Sequence, residues 1–175
     1  MATLVEHATG RWLLVSALAL PAALTIASGS PLALPGRPVA DEALQAIRSE
    51  VAAAMPHGEV LFYDQRQLLT FGFVEGVPLV TEYEKKYMAD QSLAGDPDFF
   101  EPFYEDLARH RFALIVSSPL ETTWQEEHPF SEEDEAQVRF LYLPMARYYA
   151  PVVRLDAVGV WLLRPRQVSV GEGAP

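Results

Sequence analysis

Short apolar runs alternate with amphipathic helical segments along most of this chain. Val60–Tyr63 is apolar throughout, as expected of a strand covered on both faces, and Val77–Val80 and Arg111–Ser118 are similar. Such alternation predicts an α/β fold, with a small, mainly parallel sheet and helices on both faces. The closing run Pro151–Pro165 has two β-rich stretches around Asp156–Gly159, which predicts a hairpin and an antiparallel C-terminal edge.

The predicted helices begin at residues whose side chains accept hydrogen bonds from free backbone N–H groups. Gly72 and Gly95 are suited to end two of these helices, because glycine readily adopts the left-handed conformation. Pro144 is expected to kink or shorten the last helix, and Pro102 to delay the start of the helix that contains it. The predicted N-caps are Asp41, Asp64, Thr81, Asp96 and Ser131.

The N-terminal part of the chain contains an uncharged, apolar segment, Trp12–Gly36. Its length is about that needed to span a bilayer, so a transmembrane helix is predicted. Two alternatives stay open: a cleaved signal peptide, with small residues at Ala27–Gly29 near the cleavage point, and a buried soluble helix. The predicted organisation is an N-terminal tail (1–11), a transmembrane helix or signal peptide (12–34), a linker (35–40), an α/β domain (41–166) and a disordered tail (167–175).

Charge and composition exclude several classes of protein. The net charge of -11 is opposite to that of a phosphate-binding surface, so no nucleic-acid partner is expected. The chain has no cysteine, which excludes disulfides, thiolate catalysis and zinc sites of the cysteine type. The sequence contains neither a P-loop nor a Gly-x-Ser-x-Gly motif, and no cofactor is predicted.

Asp64 is the first candidate for a functional carboxylate. It follows the first predicted strand, and ligands of open α/β sheets bind at the carboxyl ends of strands. With Gln65 and Arg66 it forms a predicted ligand-binding group at this edge. The alternative is a purely structural N-cap, because Gln67 completes a capping box with Asp64. No glycine occurs from Val60 to Phe71, which argues against a dinucleotide site.

A second candidate is the run YEKKY, in which two lysines stand between aromatic residues. Tyr83, Lys85, Lys86 and Tyr87 are predicted to bind an anionic sugar, a lipid phosphate or a membrane surface. The alternative is an ordinary amphipathic turn in which Glu82 pairs with Lys86. A binding site made of this run requires the four side chains to line one open cleft.

Neither a metal site nor a catalytic residue is predicted. The acid-rich stretch Glu126–Glu135 lacks the spacing of a calcium loop and is interpreted as a solvated loop leading into a helix. The histidines are scattered, and none has a partner at the spacing of a metal-binding pair. Ser117 and Ser118 end the strongest predicted strand, but no sequence signal places a base beside them.

Three stretches of the sequence carry a resemblance to a known family. They are GEVLFYDQRQLLTFGFVEGVPLVTEYEKKYMADQ (58–91), FYEDLARHRFALIVSS (103–118) and YYAPVVRLDAVGVWLLRPR (148–166). Together they resemble the C-terminal region of bacterial GT-C type membrane glycosyltransferases, which are similar to the dolichyl-phosphate-mannose protein mannosyltransferase group. The resemblance covers Trp12–Arg166 and implies that the apolar segment is a last transmembrane helix, followed by a small extracytoplasmic α/β domain.

That family places its catalytic acidic residue in an early loop to which no part of this chain corresponds, so no catalytic residue is carried over. The resemblance implies a membrane-anchored, extracytoplasmic accessory domain whose partners are the membrane, a multi-spanning glycosyltransferase and its lipid-linked sugar. Two alternatives stay open. One is a free-standing module that binds a glycan or a lipid-linked sugar. The other is a small hydrolase or transferase that uses Asp64 and Ser117 at the strand ends, and it requires a pocket between these side chains.

Overall fold

The computed structural model describes residues 37–123 and 131–167. The predicted N-terminal tail, the predicted transmembrane or signal segment, the first half of the acid-rich stretch and residues 168–175 lie outside the described residues. Four strands form one sheet in the order β1-β2-β4-β3. The strands are β1 (Glu59–Phe62), β2 (Phe112–Ser117), β3 (Tyr149–Leu155) and β4 (Val160–Pro165).

The helices of the described residues flank this sheet. A π-helical turn, Val138–Tyr142, joins the fifth helix to the sixth, and short 3-10 turns occur at Met55–His57 and Asp156–Val158. Among the described residues, none of the helices combines the length and the apolar character that crossing a bilayer requires. The α-helices are α1 (Arg37–Ala54), α2 (Gln67–Thr70), α3 (Lys85–Ala94), α4 (Pro97–Ala108), α5 (Ser131–Gln137) and α6 (Leu143–Tyr148).

The sheet is mixed. β1 and β2 are parallel, whereas β4 runs antiparallel to both of its neighbours, β2 and β3. The α/β class and the antiparallel C-terminal edge are therefore confirmed, and the prediction of a mainly parallel sheet is wrong. The predicted strand Val77–Val80 is an irregular segment, because Pro78 has no N–H to give to a ladder. The carbonyl of Val80 instead accepts a hydrogen bond from Arg66 at 2.7 Å.

Side chains of the sheet point to two separate cores, one on each face. On β1, Val60 and Phe62 pack with α1, whereas Leu61 and the following Tyr63 pack with α4 and the helical run of α5, the π turn and α6. This alternation is the expected consequence of strand geometry, in which successive side chains point to opposite faces. The prediction of helices on both faces of the sheet is confirmed.

Two helices begin at residues other than the predicted ones. α1 already includes residues 37–40, so these are not linker, and Asp41 lies inside the helix instead of capping it. α3 begins at Lys85, well after the predicted N-cap Thr81. The N-cap is Glu84, whose carboxylate accepts from the N–H of Tyr87 at 2.9 Å while its own backbone stays extended.

Other boundaries agree with the sequence. α4 begins as predicted, because Asp96 accepts from the N–H of Asp98 at 3.0 Å and Pro97 occupies the first helical position. Gly95, with φ of 70°, ends α3 as predicted, and the closing hairpin of β3 and β4 is confirmed. Pro102 lies inside α4 without delaying its start, contrary to the prediction.

Pro144 disturbs the last helical run in a specific way. Its ring nitrogen carries no hydrogen, so the carbonyl of Phe140, four residues earlier, lacks the N–H that an α-helix would supply. The chain adopts a π turn here, in which the N–H of Leu143 donates to the carbonyl of Val138. The free carbonyl of Phe140 accepts from the hydroxyl of Tyr104 on α4 at 3.0 Å. The break in one helix is thus the point at which another helix binds to it.

Candidate functional site

The carboxyl ends of the parallel strands β1 and β2 meet at one edge of the sheet, where α/β folds usually bind ligands. Tyr63 extends the pairing beyond β1, since its N–H donates to the carbonyl of Val116 at 3.0 Å. The next residue, Asp64, accepts at Oδ2 from the N–H of Ser118 at 2.8 Å. A carboxylate therefore continues the strand pairing where the backbone ladder stops. Tyr63, Asp64, Ser118 and Lys85 form what we call the strand-end cluster.

Lys85 completes this cluster, with Nζ 3.1 Å from Oδ2 of Asp64. The side chain of Asp64 is 11% exposed and that of Lys85 is 37% exposed, so solvent reaches the pair mainly from the lysine side. The prediction that Asp64 caps α2 is wrong: the residue before the helix is Arg66, which has helical backbone angles and makes no capping bond. Gln65 adopts a left-handed conformation, with φ of 56°, and this turn separates Asp64 from the start of α2.

Arg66 and Gln65 make bonds within the fold. Nε of Arg66 donates to the carbonyl of Phe62 at 3.2 Å, and Nη2 donates to that of Val80. The guanidinium therefore ties the irregular segment 77–80 to the end of β1. The side chain of Gln65 accepts from that of Gln67 at 2.8 Å. Gln65 also borders an apolar groove of about 160 Å³ between α1, α2 and the β3–β4 turn.

The four residues of the YEKKY run do not share one surface. Tyr83 lies in the core with 7% exposure. Lys85 belongs to the strand-end cluster, whereas the side chain of Lys86 is 83% exposed and pairs within its own helix at 3.2 Å. Tyr87 is half exposed, and its ring packs edge-to-face on that of Phe99. These positions do not form the single cleft that the sequence interpretation required.

Two polar atoms of the strand-end cluster are buried without a hydrogen-bond partner among the described residues. They are the hydroxyl of Tyr63 and Oδ1 of Asp64. Burial raises the pKa of Tyr63 far above its ordinary value, and Tyr142 and Asp64 raise it further. Burial also raises the pKa of Tyr142 to about 12, with contributions from the charges of Asp64 and Glu121. Both phenols therefore stay neutral near pH 7 and cannot act as bases there.

Ser117 is not placed as a nucleophile. Its side chain is 1% exposed, and its hydroxyl donates to the carbonyl of Ser118 at 2.8 Å. The nearest candidate base, Asp64, is bound instead to the N–H of Ser118 and to Lys85. Nucleophilic catalysis needs a base within hydrogen-bond reach of the hydroxyl. The geometry therefore does not supply the pair that a hydrolase or transferase would use.

A second polar cluster lies at the opposite end of β1 and β2, and the sequence reasoning missed it. Arg111, just before β2, donates through Nε and Nη2 to the two carboxylate oxygens of Glu59 at 3.0 and 2.9 Å. The same guanidinium binds Glu82 at 2.8 Å and Asp106 at 2.7 Å. Asp106 also accepts from the hydroxyl of Tyr83 at 2.6 Å. We call these five residues the Arg111 network.

The Arg111 network is held together by matched charges and is structural. Burial opposes the ionisation of Asp106, yet hydrogen bonds from Tyr83, Arg111 and Arg109 outweigh it and lower its pKa. The hydrogen bonds to Glu59 raise the pKa of Arg111. The predicted pairing of Glu82 with Lys86 is absent, since Glu82 binds Arg111. A sequence signal existed, because Glu59 and Arg111 each stand before an apolar run, and parallel neighbours bring their first residues together.

Cavities and metal ligands add no catalytic site. A cavity of about 370 Å³ lies between α1 and residues 72–75, and one of about 350 Å³ lies between α4 and the π turn with α6. Neither is lined by Asp64 or Ser117. Within the described residues, no three His, Asp or Glu side chains are grouped so that they could hold a metal ion. Comparison with family models, curated proteins and solved structures finds no match to this chain.

Proposed function

We propose that this chain is a membrane-anchored, extracytoplasmic accessory domain that acts beside a glycosyltransferase using a polyprenyl-phosphate sugar. In this proposal the domain carries out no chemistry of its own, and the catalytic carboxylate belongs to the partner. The observation that carries the proposal is how the groups of the strand-end cluster are bonded.

At the edge where α/β enzymes keep their reactive groups, this chain uses those groups to hold its strands together. Oδ2 of Asp64 is occupied by the N–H of Ser118 and by Lys85. The hydroxyl of Ser117 is given to a carbonyl and is shielded from solvent. A general base or nucleophile must be able to reach a substrate within hydrogen-bond distance. These bonds favour a binding or positioning role over catalysis.

The membrane and the partner rest on the sequence. The apolar segment Trp12–Gly36 has the length of a membrane span, and the resemblance connects the α/β part with GT-C glycosyltransferases. One feature of the described residues supports contact with a partner: Phe71, Phe73 and Leu79 are 72%, 47% and 51% exposed within one short segment. Clustered exposed apolar side chains are typical of interaction surfaces. We call these three residues the 71–79 patch.

The proposal is tested with membranes from the host, prepared with and without the chain. The measurement is the transfer of a radiolabelled sugar from a polyprenyl-phosphate donor to acceptor in each membrane. We expect transfer to fall without the chain and to return when the full chain is restored. We expect the purified full chain alone to transfer no sugar. Transfer by the purified chain, or equal transfer with and without it, would contradict the proposal.

A surface variant separates partner contact from mere presence. Phe71→Ser with Phe73→Ser alters two exposed side chains of the 71–79 patch without touching the core. The matched control is Val152→Ser, because Val152 is 52% exposed on the edge strand β3. We expect the patch variant to restore less transfer than the wild-type chain and the control to restore it fully. Equal restoration by both variants would remove the 71–79 patch as the contact surface.

A further inference from the structure

A groove of about 350 Å³ runs between α4 and the helical run that contains the π turn. Arg139, Leu143 and Arg147 line it from one side, at spacings of four residues that place them on one helix face. Tyr104 lines it from α4, and Tyr148 also borders it. Two arginines therefore converge on one concave surface of a chain whose net charge is -11.

These two arginines differ from others in the domain by having no acidic partner. None of the carboxylates in the described part of the chain lies within ion-pair distance of Arg139 or Arg147. Arg109, Arg111 and Arg164, by contrast, each bind a carboxylate at 3.0 Å or closer. In an acidic chain, a pair of uncompensated guanidinium groups in one groove attracts an anion.

Both guanidinium groups are already held against aromatic rings. That of Arg139 lies 5.2 Å from the ring centre of Phe140, and that of Arg147 lies 5.3 Å from that of Tyr148. Stacking of this kind orients the planar group and leaves its N–H edge free for a ligand. The hydroxyl of Tyr104 is already bound to the carbonyl of Phe140, so the arginines supply the donors.

We propose that this groove binds a phosphate monoester whose other part is apolar or aromatic. A phosphate monoester carries nearly two negative charges and three acceptor oxygens, so two guanidinium forks can bind it at once. Leu143, 41% exposed, and Pro144 offer an apolar surface between the arginines for the ester substituent. The site is separate from the strand-end cluster and does not depend on the accessory role.

Titration calorimetry on the full chain in a non-ionic detergent tests this site with defined probes. We expect phenyl phosphate to bind more tightly than inorganic phosphate, which lacks the aromatic part. Benzoate is expected to bind more weakly than phenyl phosphate, because it has one charge and two acceptor oxygens. Arg139→Ala or Arg147→Ala should each weaken phenyl phosphate binding about tenfold, and the double variant about a hundredfold. Binding should also weaken as salt is added.

Arg154→Ala is the matched control, because it removes the same charge and the same kind of stacking elsewhere. Arg154 lies 4.5 Å from the ring centre of Trp161 and does not line the groove. We expect this variant to bind phenyl phosphate like the wild type, and circular dichroism to show that all variants are folded. An equal loss in Arg154→Ala, benzoate binding as tight as phenyl phosphate, or no binding of phenyl phosphate by the folded wild type would overturn the proposal.

A second arm distinguishes a lipid headgroup from a soluble phosphate ester. The wild type and the double variant are floated with vesicles of phosphatidylcholine alone or with added phosphatidic acid, a lipid phosphate monoester. Extra flotation with phosphatidic acid that the double variant lacks supports the site and assigns it to a lipid. Equal flotation of both proteins, together with arginine-dependent phenyl phosphate binding, supports the site and assigns it to a soluble ester.

Discussion

Tyr63→Phe tests whether the buried hydroxyl at the strand ends has a partner. The side chain of Tyr63 is 0% exposed, and its hydroxyl has no hydrogen-bond partner among the described residues. The substitution removes only that oxygen and keeps the ring in the core. Because an unpaired hydroxyl is better solvated in the unfolded chain, we expect the free energy of unfolding to stay equal or to rise.

The magnitude follows from the two effects of losing that oxygen. A hydroxyl buried without a partner costs about 1–3 kcal/mol in proteins. Losing the contacts of one atom returns a few times about 0.1–0.2 kcal/mol per contact. Taking the low end of the first range, we expect Tyr63→Phe to raise the free energy of unfolding by up to about 1 kcal/mol. In a domain of this size, that corresponds to roughly 3 °C in Tm.

Urea unfolding followed by circular dichroism measures this difference, and Tyr83→Phe is the matched comparison. Tyr83 is also buried, but its hydroxyl donates to Asp106 at 2.6 Å. Removing that hydroxyl should lower the free energy of unfolding by about 1.5–3 kcal/mol, because the bond is to a charged group. If Tyr63→Phe is destabilised by 1 kcal/mol or more, the hydroxyl has a partner, such as a water shared with Asp64, and the reasoning is refuted.

Two further substitutions test the two polar clusters. Asp106→Asn should lower the free energy of unfolding by about 3 kcal/mol at pH 7, since it leaves Arg111 without a buried partner. The folded-state pKa of Asp106 is below its ordinary 3.8, so its contribution is present above that value and is lost as the pH falls through the lower one. Urea unfolding from pH 7 to pH 3 should therefore be less pH-dependent in Asp106→Asn, and an unchanged slope would contradict this. Lys85→Met should cost only about 0.5–1 kcal/mol, because its pair with Asp64 is partly solvated, and a double-mutant cycle with Asp64→Asn should return a coupling of that size rather than zero.

The strands that the sequence predicted well are those whose signal is local. β1 and β2 are continuous apolar runs, and a strand buried on both faces needs nothing else to be recognised. The start of α4 was equally local, because Asp96 and Pro97 supply the cap and the first helical residue side by side. Val77–Val80 has the same apolar composition but is not a strand, since one proline removes a donor from so short a run.

The roles of Asp64 and Arg111 were beyond local reasoning. Asp64 binds the N–H of Ser118, 54 residues away in sequence, and Arg111 binds Glu59, 52 residues away. Each contact exists only because β1 and β2 become parallel neighbours, and a capping-box pattern around Asp64 gives no information about that pairing. The same limit applies to the groove of Arg139 and Arg147, whose other side comes from a separate helix.

The π turn at Val138–Tyr142 makes chain length, and not only residue type, a determinant of this protein. A π turn contains one residue more than the α-helical turn it replaces, and each residue rotates a helix by about 100°. Deleting one residue there would keep every side chain's chemistry but turn the following segment by that angle. Met145 would leave the core, and Arg147 would leave the face it shares with Arg139. Insertions and deletions in this segment should therefore be less tolerated than most substitutions.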